Sequence, residues 1–231
     1  MMRVVLFDID GTLLASGGVG RRAMEAALLT HFGTIGPTHY RYDGKTDRQI
    51  VRESMRHADF SDADIDERME PLLVEYLARL EQTITSDMSG VRVHAGVPAL
   101  LDALQARDDV LLGLLTGNIA PGAALKLRAA GLAPERFRVG AFGSDHERRH
   151  ELPAIAQRRA AELLERDVAG STVVVIGDTP ADVECGRGIG ARAVAVATGH
   201  FTTADLAAYN PHAVFEDFTD VAAAMRAICD A

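Results

Sequence analysis

The chain has 231 residues, 48% of them hydrophobic, and a formal net charge of −9 at pH 7. This length suits one large domain or a core that carries a smaller insertion, and the acidic balance argues against a nucleic-acid partner. With two cysteines, no signal-peptide pattern and no run of about 18 apolar residues, the sequence predicts a cytoplasmic protein with no membrane partner.

Five short apolar runs predict the strands of a parallel sheet that is buried on both faces. These runs are Arg3–Phe7, Val110–Leu115, Arg138–Phe142, Thr172–Ile176 and Arg192–Ala197. Helical patterns precede or separate the later runs: Val97–Ala106, Ile119–Ala130, Leu152–Glu165 and Ala181–Gly188. The alternation of strand and helix predicts a doubly wound α/β fold.

Residues 15–90 interrupt this alternation. The segment is rich in charge, contains no convincing strand and predicts three helices: Gly20–Phe32, Asp47–His57 and Asp62–Ile84. We therefore predict a helical domain over residues 15–90, inserted into a core formed by residues 1–14 and 91–231. The return to the core is expected near Ser86–Ala95, where small and polar residues cluster.

Polar clusters follow three of the predicted strands, and each by itself would read as an ordinary turn or helix cap. They are Asp8-Ile9-Asp10-Gly11-Thr12, Thr116-Gly117-Asn118 and Gly177-Asp178-Thr179-Pro180-Ala181-Asp182. Because ligands of an open parallel sheet bind beyond the carboxyl ends of its strands, three such clusters together indicate one shared site.

The residue types in these clusters point to phosphoryl transfer. Several carboxylates without histidine or thiolate ligands favour Mg²⁺, which would also offset the repulsion between Asp8 and Asp10. The hydroxyl group of Thr116 and the N–H groups at the following helix start are suited to an anion. A carboxylate beside a metal and an anion site is able to act as a nucleophile.

The motifs DIDGT, LLTGN and GDTPAD, in this order and at these strand ends, resemble motifs I, II and IV of the haloacid dehalogenase-like (HAD) superfamily. The resemblance covers essentially the whole chain and implies a Rossmann-like core with a type-1 helical cap domain. The acid at position 10 resembles the phosphatases of the superfamily rather than its dehalogenases. The implied activity is Mg²⁺-dependent hydrolysis of a small phosphorylated metabolite, most similar to phosphoglycolate phosphatases, by a monomer or homodimer.

The same resemblance implies a role for each motif residue. Asp8 would be the nucleophile and a metal ligand, and Asp10 the general acid and base, with its backbone carbonyl on the metal. Asp178 would be the second metal carboxylate, with Asp182 behind it, and Thr12 would orient Asp10 or donate to phosphate. The phosphoryl oxygens would be held by the residues of motif II: Thr116, Gly117 and Asn118.

The family also requires a cation, usually a lysine shortly before motif IV. The corresponding stretch, GSDHERRHELP, contains no lysine. Lys126 is the first candidate, because Gly122 and Ala123 leave room for its side chain to run back along the helix. Arg149 is the alternative candidate.

Asp43-Gly44-Lys45-Thr46-Asp47 forms a predicted turn before a helix of the insertion. Lys45 and Thr46 could bind the distal part of the substrate, or Asp47 could cap the helix and leave Lys45 exposed; the sequence leaves both open. The alternative function is a phosphomutase of the β-phosphoglucomutase type, which would pass the phosphoryl group to a sugar phosphate. A catalytically silent binding module is a third reading, against which the intact Asp8, Asp10, Thr116 and Asp178 argue.

Overall fold

The computed structural model describes residues 2–86 and 90–230. Its strands are β1 (Arg3–Phe7), β2 (Leu14–Ala15), β3 (Arg92–Val93), β4 (Val110–Thr116), β5 (Val139–Phe142), β6 (Val173–Gly177), β7 (Arg192–Val196) and β8 (Ala213–Phe215). Its helices are α1 (Val19–Phe32), α2 (Asp47–Arg56), α3 (Asp62–Ser86), α4 (Val97–Gln105), α5 (Ala120–Ala129), α6 (Leu152–Leu164), α7 (Pro180–Cys185), α8 (Thr203–Ala207) and α9 (Val221–Cys229).

Six of the strands form one parallel sheet in the order β5-β4-β1-β6-β7-β8. β1 lies in the centre, where Phe7 pairs with Leu114 of β4 on one side and with Ile176 of β6 on the other. The direction of strand order reverses between β1 and β6, and this is the crevice where doubly wound sheets bind ligands. The predicted α/β fold is confirmed.

The central strand is apolar along its length because both of its faces are covered. Successive side chains of a strand point to opposite faces, and those of β1 divide accordingly between two hydrophobic clusters. Val5 and Phe7 pack in the cluster that includes leucines of α4 and α5, whereas Val4 and Leu6 pack in the cluster that includes Leu152 of α6. These four side chains are fully buried.

The structure departs from the predicted elements at several ends. β8, α8 and α9 were not predicted; β8 has only three half-buried residues, too few for a recognisable pattern. The helix predicted to reach Gly188 stops at Cys185 and continues as a 3₁₀ turn, Gly186–Ile189, as expected where glycines weaken a helix. Leu14–Ala15 pairs antiparallel with Arg92–Val93, so a two-stranded ribbon joins the ends of the insertion, in which no strand was expected.

Helices α1, α2 and α3 share a hydrophobic cluster, against which buried Ile119 and half-buried Leu125 and Ala129 of the sheet-bearing part also pack. This supports the predicted insertion, although the domain boundaries at 14/15 and 90/91 stay a prediction. The predicted return segment, 86–95, contains residues 87–89, which lie outside the described part of the chain. Within residues 2–86 and 90–230, none of the helices has both the length and the apolar character needed to cross a bilayer.

Candidate active site

The ends of β1, β4, β6 and β7 meet at a cavity of about 620 Å³ that the helical insertion covers. Eight of the predicted site residues line it: Asp8, Asp10, Thr116, Gly117, Asn118, Lys126, Arg149 and Asp178. Lys45 also lines it, from the side of the insertion, whereas Thr12, Thr46 and Asp182 do not. The three polar clusters of the sequence therefore do come together at one site.

Asp8 is buried beneath the guanidinium group of Arg149. Nη2 of Arg149 lies 3.1 Å from Oδ2 of Asp8 and also contacts Oδ1 of Asp182. A 3₁₀ turn, Arg149–Glu151, places this arginine in front of α6. Burial raises the pKa of Asp8 to about 6, because the attraction of Arg149 only partly offsets the loss of water.

Asp10 has a different cation. Nζ of Lys126 lies 2.7 Å from Oδ2 of Asp10 and 2.6 Å from Oδ1 of Asn118, whose amide nitrogen also donates to Asp10 at 2.8 Å. Burial would raise the pKa of Asp10, but the charge and hydrogen bonds of Lys126 outweigh it and hold that pKa below its ordinary value. Lys126 and Arg149, predicted as alternatives for one role, thus occupy two separate positions.

Thr12 does not line the cavity, and its hydroxyl group donates to Asp178 rather than to Asp10, which differs from both predicted roles. Its fully buried hydroxyl group donates to Oδ1 of Asp178 at 2.9 Å. Gly11 makes this close approach possible, because its backbone has a φ of +83° and a Cβ there would lie 2.2 Å from Oδ2 of Asp178. The tight turn after β1 therefore packs directly against the carboxylate that follows β6.

The motif II residues are linked to one another and to the insertion. Nδ2 of Asn118 donates to Oγ1 of Thr116 at 2.8 Å. At the start of α5 the N–H group of Ile119 donates to a carboxylate of the insertion, Oδ2 of Asp47, at 2.8 Å. That N–H group is thereby occupied, which leaves the anion site predicted here to the groups of residues 116–118.

The segment 45–47 docks the insertion onto motif II. The N–H group of Asp47 donates to the carbonyl of Gly117 at 2.8 Å, and a Cβ on Gly117 would lie 2.0 Å from the carbonyl oxygen of Lys45. Burial raises the pKa of Asp47 to about 6, against the attraction of Lys126. Only a glycine at position 117 allows the two backbones to approach this closely.

Thr46 is the N-cap of α2, a role that the sequence had suggested for Asp47. Its hydroxyl group accepts from the N–H group of Gln49 at 3.1 Å and donates to the carbonyl of Glu147 at 2.5 Å. It is fully buried, so the structure does not support the predicted substrate contact. Nζ of Lys45 lies 2.6 Å from Oε2 of Glu53, so Lys45 is ion-paired rather than simply exposed.

Comparison with known proteins now identifies the family. The family model of the haloacid dehalogenase-like hydrolases matches residues 5–187. The chain belongs to this family. The resemblance carried by DIDGT, LLTGN and GDTPAD is therefore confirmed, and the protein is a hydrolase of the HAD type. A comparison with curated protein sequences gives no significant match.

Solved structures share the HAD fold over nearly the whole chain. A hydrolase from Pseudomonas syringae is 20% identical with a TM-score of 0.74, covering 98% of this chain and 99% of its own. A predicted phosphoglycolate phosphatase from Haemophilus somnus 129pt is 17% identical with a TM-score of 0.68, covering 97% and 98%. A beta-phosphoglucomutase-like protein from Thermotoga maritima is 20% identical with a TM-score of 0.61, covering 97% and 99%. At these identities the likeness concerns the fold alone.

Mg²⁺, which HAD hydrolases generally use, fits the carboxylates of this chain. One oxygen each of Asp8, Asp178 and Asp182 lies within 4.8 Å of the others. Burial and the neighbouring carboxylates Asp182 and Asp8 raise the pKa of Asp178 well above its ordinary value, and a divalent cation held between these carboxylates would offset their repulsion. Asp182 is engaged by Arg149 and by the N–H and hydroxyl groups of Thr179. Asp8 and Asp178 are therefore the side chains best placed to hold the metal.

Sequence reasoning missed several residues of the site. Asp47 and Tyr76 line the cavity from the insertion, and Thr198, Gly199 and His200 line it from the loop after β7. The hydroxyl group of Thr198 donates to the carbonyl of Gly11 at 2.5 Å, and Nδ1 of His200 lies 2.5 Å from Oδ1 of Asp43 in the insertion. The loop after β7 was detectable, because it follows a predicted strand exactly as the three recognised clusters do.

Proposed function

We propose that this HAD hydrolase is a Mg²⁺-dependent phosphatase that cleaves a small phosphomonoester through an aspartyl-phosphate on Asp8. One observation carries the proposal: Asp8 and Asp10 line the same cavity, yet each has its own cation and its own hydrogen-bond environment. A carboxylate that contacts an arginine beside the anion site is suited to attack phosphorus, and a carboxylate held by a lysine and an amide is suited to transfer a proton. The phosphatases among the structures of similar fold support the same conclusion.

In the first step, a carboxylate oxygen of Asp8 attacks phosphorus, and the ester oxygen leaves as an alcohol with a proton from Asp10. Asp10 is ionised beside Lys126 before substrate arrives, and the charge of a neighbouring phosphate raises its pKa toward the protonated form. Arg149 contacts Asp8, so we assign to it the positive charge that brings nucleophile and phosphate together. This is the role for which Lys126 was the first candidate.

In the second step, Asp10 takes a proton from a water molecule that attacks phosphorus, and the bond to Asp8 breaks to release phosphate. The residues that would hold Mg²⁺ are Asp8 and Asp178, with the predicted carbonyl of Asp10; when bound, the metal neutralises charge on the phosphoryl oxygens. Asn118 connects Lys126, Asp10 and Thr116 through its amide group. It therefore fixes the position of the general acid and base relative to the phosphate site.

The test is phosphate release from a panel of phosphomonoesters with and without Mg²⁺, in the wild type and in Asp8→Asn. We expect release that depends on Mg²⁺ and falls at least about 10³-fold in Asp8→Asn, because the nucleophile is lost. Acid-quenched wild type should carry hydroxylamine-labile phosphate, which the variant should lack. Asp167→Asn, at an exposed carboxylate that does not line the cavity, is the matched control and should behave as the wild type.

Three results would contradict the proposal. Full activity in a folded Asp8→Asn would show that Asp8 is not the nucleophile. The absence of phosphate release from every ester would show that the protein is not a phosphatase. Transfer to a sugar phosphate that requires a sugar bisphosphate activator, with little phosphate released, would instead indicate the phosphomutase.

A further inference from the structure

The part of the cavity above the phosphate site is built by the insertion. We call it the roof and define it by six side chains: Arg21, Met24, Tyr42, Lys45, Ile50 and Tyr76. Two of them, Arg21 and Lys45, are the cations that a carboxylate or a second phosphate would meet in the roof. What these two cations already contact therefore bears on which esters fit.

The guanidinium group of Arg21 is used within the insertion. Its Nε lies 2.8 Å from Oε1 of Glu25, and both terminal nitrogens donate to the carbonyl of Tyr40 at 3.2 Å. The group also stacks 4.4 Å from the ring centre of Tyr42. Arg21 thus supports the segment that leads to the docking loop, and its charge is balanced by Glu25.

Lys45 is bound still more firmly. Its Nζ lies 2.6 Å from Oε2 of Glu53 and 5.0 Å from the ring centre of Tyr40. Glu53 also accepts from Nε2 of Gln49 at 2.8 Å and from the hydroxyl group of Tyr40. Burial raises the pKa of Glu53, but these donors and the Lys45 charge lower it to about 2, so this competitor is ionised at any working pH.

The rest of the roof is apolar or aromatic. Met24, Tyr76 and Ile50 are almost fully buried, and the cavity volume of about 620 Å³ lies within the range of sites that enclose ligands far larger than a two-carbon acid. A charged group placed against the roof would lose water, and it would pair with Arg21 or Lys45 only in competition with Glu25 or Glu53.

We propose that the roof selects phosphomonoesters whose alcohol portion is uncharged and larger than two carbons, and discriminates against esters that carry a carboxylate or a second phosphate. This inference rests on the proposed phosphatase function and narrows its substrate class. It departs from phosphoglycolate, whose leaving group bears a carboxylate.

Matched pairs of esters test the inference directly. The first pair is glycerol 3-phosphate and 3-phosphoglycerate, and the second is 2-hydroxyethyl phosphate and 2-phosphoglycolate. Within each pair the uncharged ester should have a kcat/KM at least about tenfold higher, the discrimination expected when a paired ion must be displaced. Benzyl phosphate should exceed 2-hydroxyethyl phosphate, because its leaving alcohol has a similar acidity but fills more of the apolar roof.

The substitution Glu53→Gln tests the stated cause. It keeps the hydrogen-bond acceptor for Tyr40 but releases the charge of Lys45, so kcat/KM for 3-phosphoglycerate relative to glycerol 3-phosphate should rise about tenfold. Glu75→Gln is the matched control, because Glu75 forms an ion pair with Arg79 on α3 and does not line the cavity. It should leave the ratio unchanged.

The outcomes separate the inference from the function on which it rests. If the enzyme releases phosphate but prefers the carboxylate-bearing esters, the inference is wrong and the phosphatase function stands. The same holds if a folded Glu53→Gln leaves unchanged the ratio of kcat/KM for 3-phosphoglycerate to kcat/KM for glycerol 3-phosphate. If Glu53→Gln fails to fold, the matched pairs on the wild type still decide. No release from any ester overturns both.

Discussion

The two sides of the cavity differ in how charge is balanced. On the side of the sheet, four carboxylates face two cations: Asp8, Asp10, Asp178 and Asp182 against Lys126 and Arg149. In the roof, Arg21 and Lys45 each have a carboxylate of their own. The surplus of carboxylates on the side of the sheet suits a metal ion and chemistry on an anion, whereas the paired cations of the roof suit recognition of an uncharged group.

Arg149→Met should have the largest effect on the sheet side of the cavity. It leaves Asp8 and Asp182 buried without their shared cation, so we expect the free energy of unfolding to fall by about 3–5 kcal/mol. Phosphate release should fall at least about 10²-fold, and Arg149→Lys should recover part of it because the charge returns. Denaturant unfolding and kcat/KM measure the two effects.

The exposed neighbour Arg148 supplies the control, and Arg148→Met should change the stability by no more than about 0.5 kcal/mol. Lys126→Met should reduce phosphate release less than Arg149→Met does, because it leaves the cation on Asp8 in place. A larger loss of phosphate release in Lys126→Met than in Arg149→Met would show that Lys126, not Arg149, supplies the main positive charge.

Gly117→Ala should disturb the contact between the two sides. A Cβ at position 117 would lie 2.0 Å from the carbonyl oxygen of Lys45, so the docking loop must move away. We expect a loss of about 1–3 kcal/mol in stability, as for an overpacked core, and a raised KM. Gly188→Ala is the matched control, since a Cβ there has open space around it. Equal KM values in the two variants would show that docking does not shape the site.

Asp47→Asn should have the smallest effect, and one that depends on pH. The folded-state pKa of about 6 lies above the ordinary 3.8, so this carboxyl group stabilises the fold below pH 3.8 and loses that contribution as pH rises through 6. The asparagine variant avoids this loss. Its stability relative to the wild type should improve by about 1–2 kcal/mol between pH 5 and pH 8. Unfolding at both pH values without added metal measures it; a constant or opposite difference contradicts it.

The sequence was sufficient for the fold and for the centre of the site. The apolar strands end in acids, a threonine or an asparagine, and parallel strands bring such ends together, so Asp8, Asp10, Thr116 and Asp178 could be placed in one cavity. The family's motifs then gave each a proposed role. These inferences depend on local pattern and on topology, which a single sequence records well.

Contacts between distant segments could not be predicted. Arg149 reaches Asp8 because a 3₁₀ turn holds it in front of α6, whereas the sequence made Lys126 the first candidate for this role. The hydroxyl group of Thr46 is occupied by the carbonyl of Glu147, about a hundred residues away. Such pairings depend on how the insertion packs on the sheet, and no periodicity in either segment indicates it.

The short ribbon between Leu14–Ala15 and Arg92–Val93 has a consequence for how the chain reaches this structure. β1 must pair with β4 across the whole insertion. Closing a loop of that length costs about 4 kcal/mol in chain entropy before the hydrogen bonds between the two strands can form. In the ribbon, the N–H group of His94 donates to the carbonyl of Leu13 at 3.1 Å. Once the ribbon has formed, the loop is closed, so the pairing of β1 with β4 requires little further loss of chain entropy. The pairing of β1 with β4 then becomes a nearly local event, and the sheet assembles as if the insertion were absent.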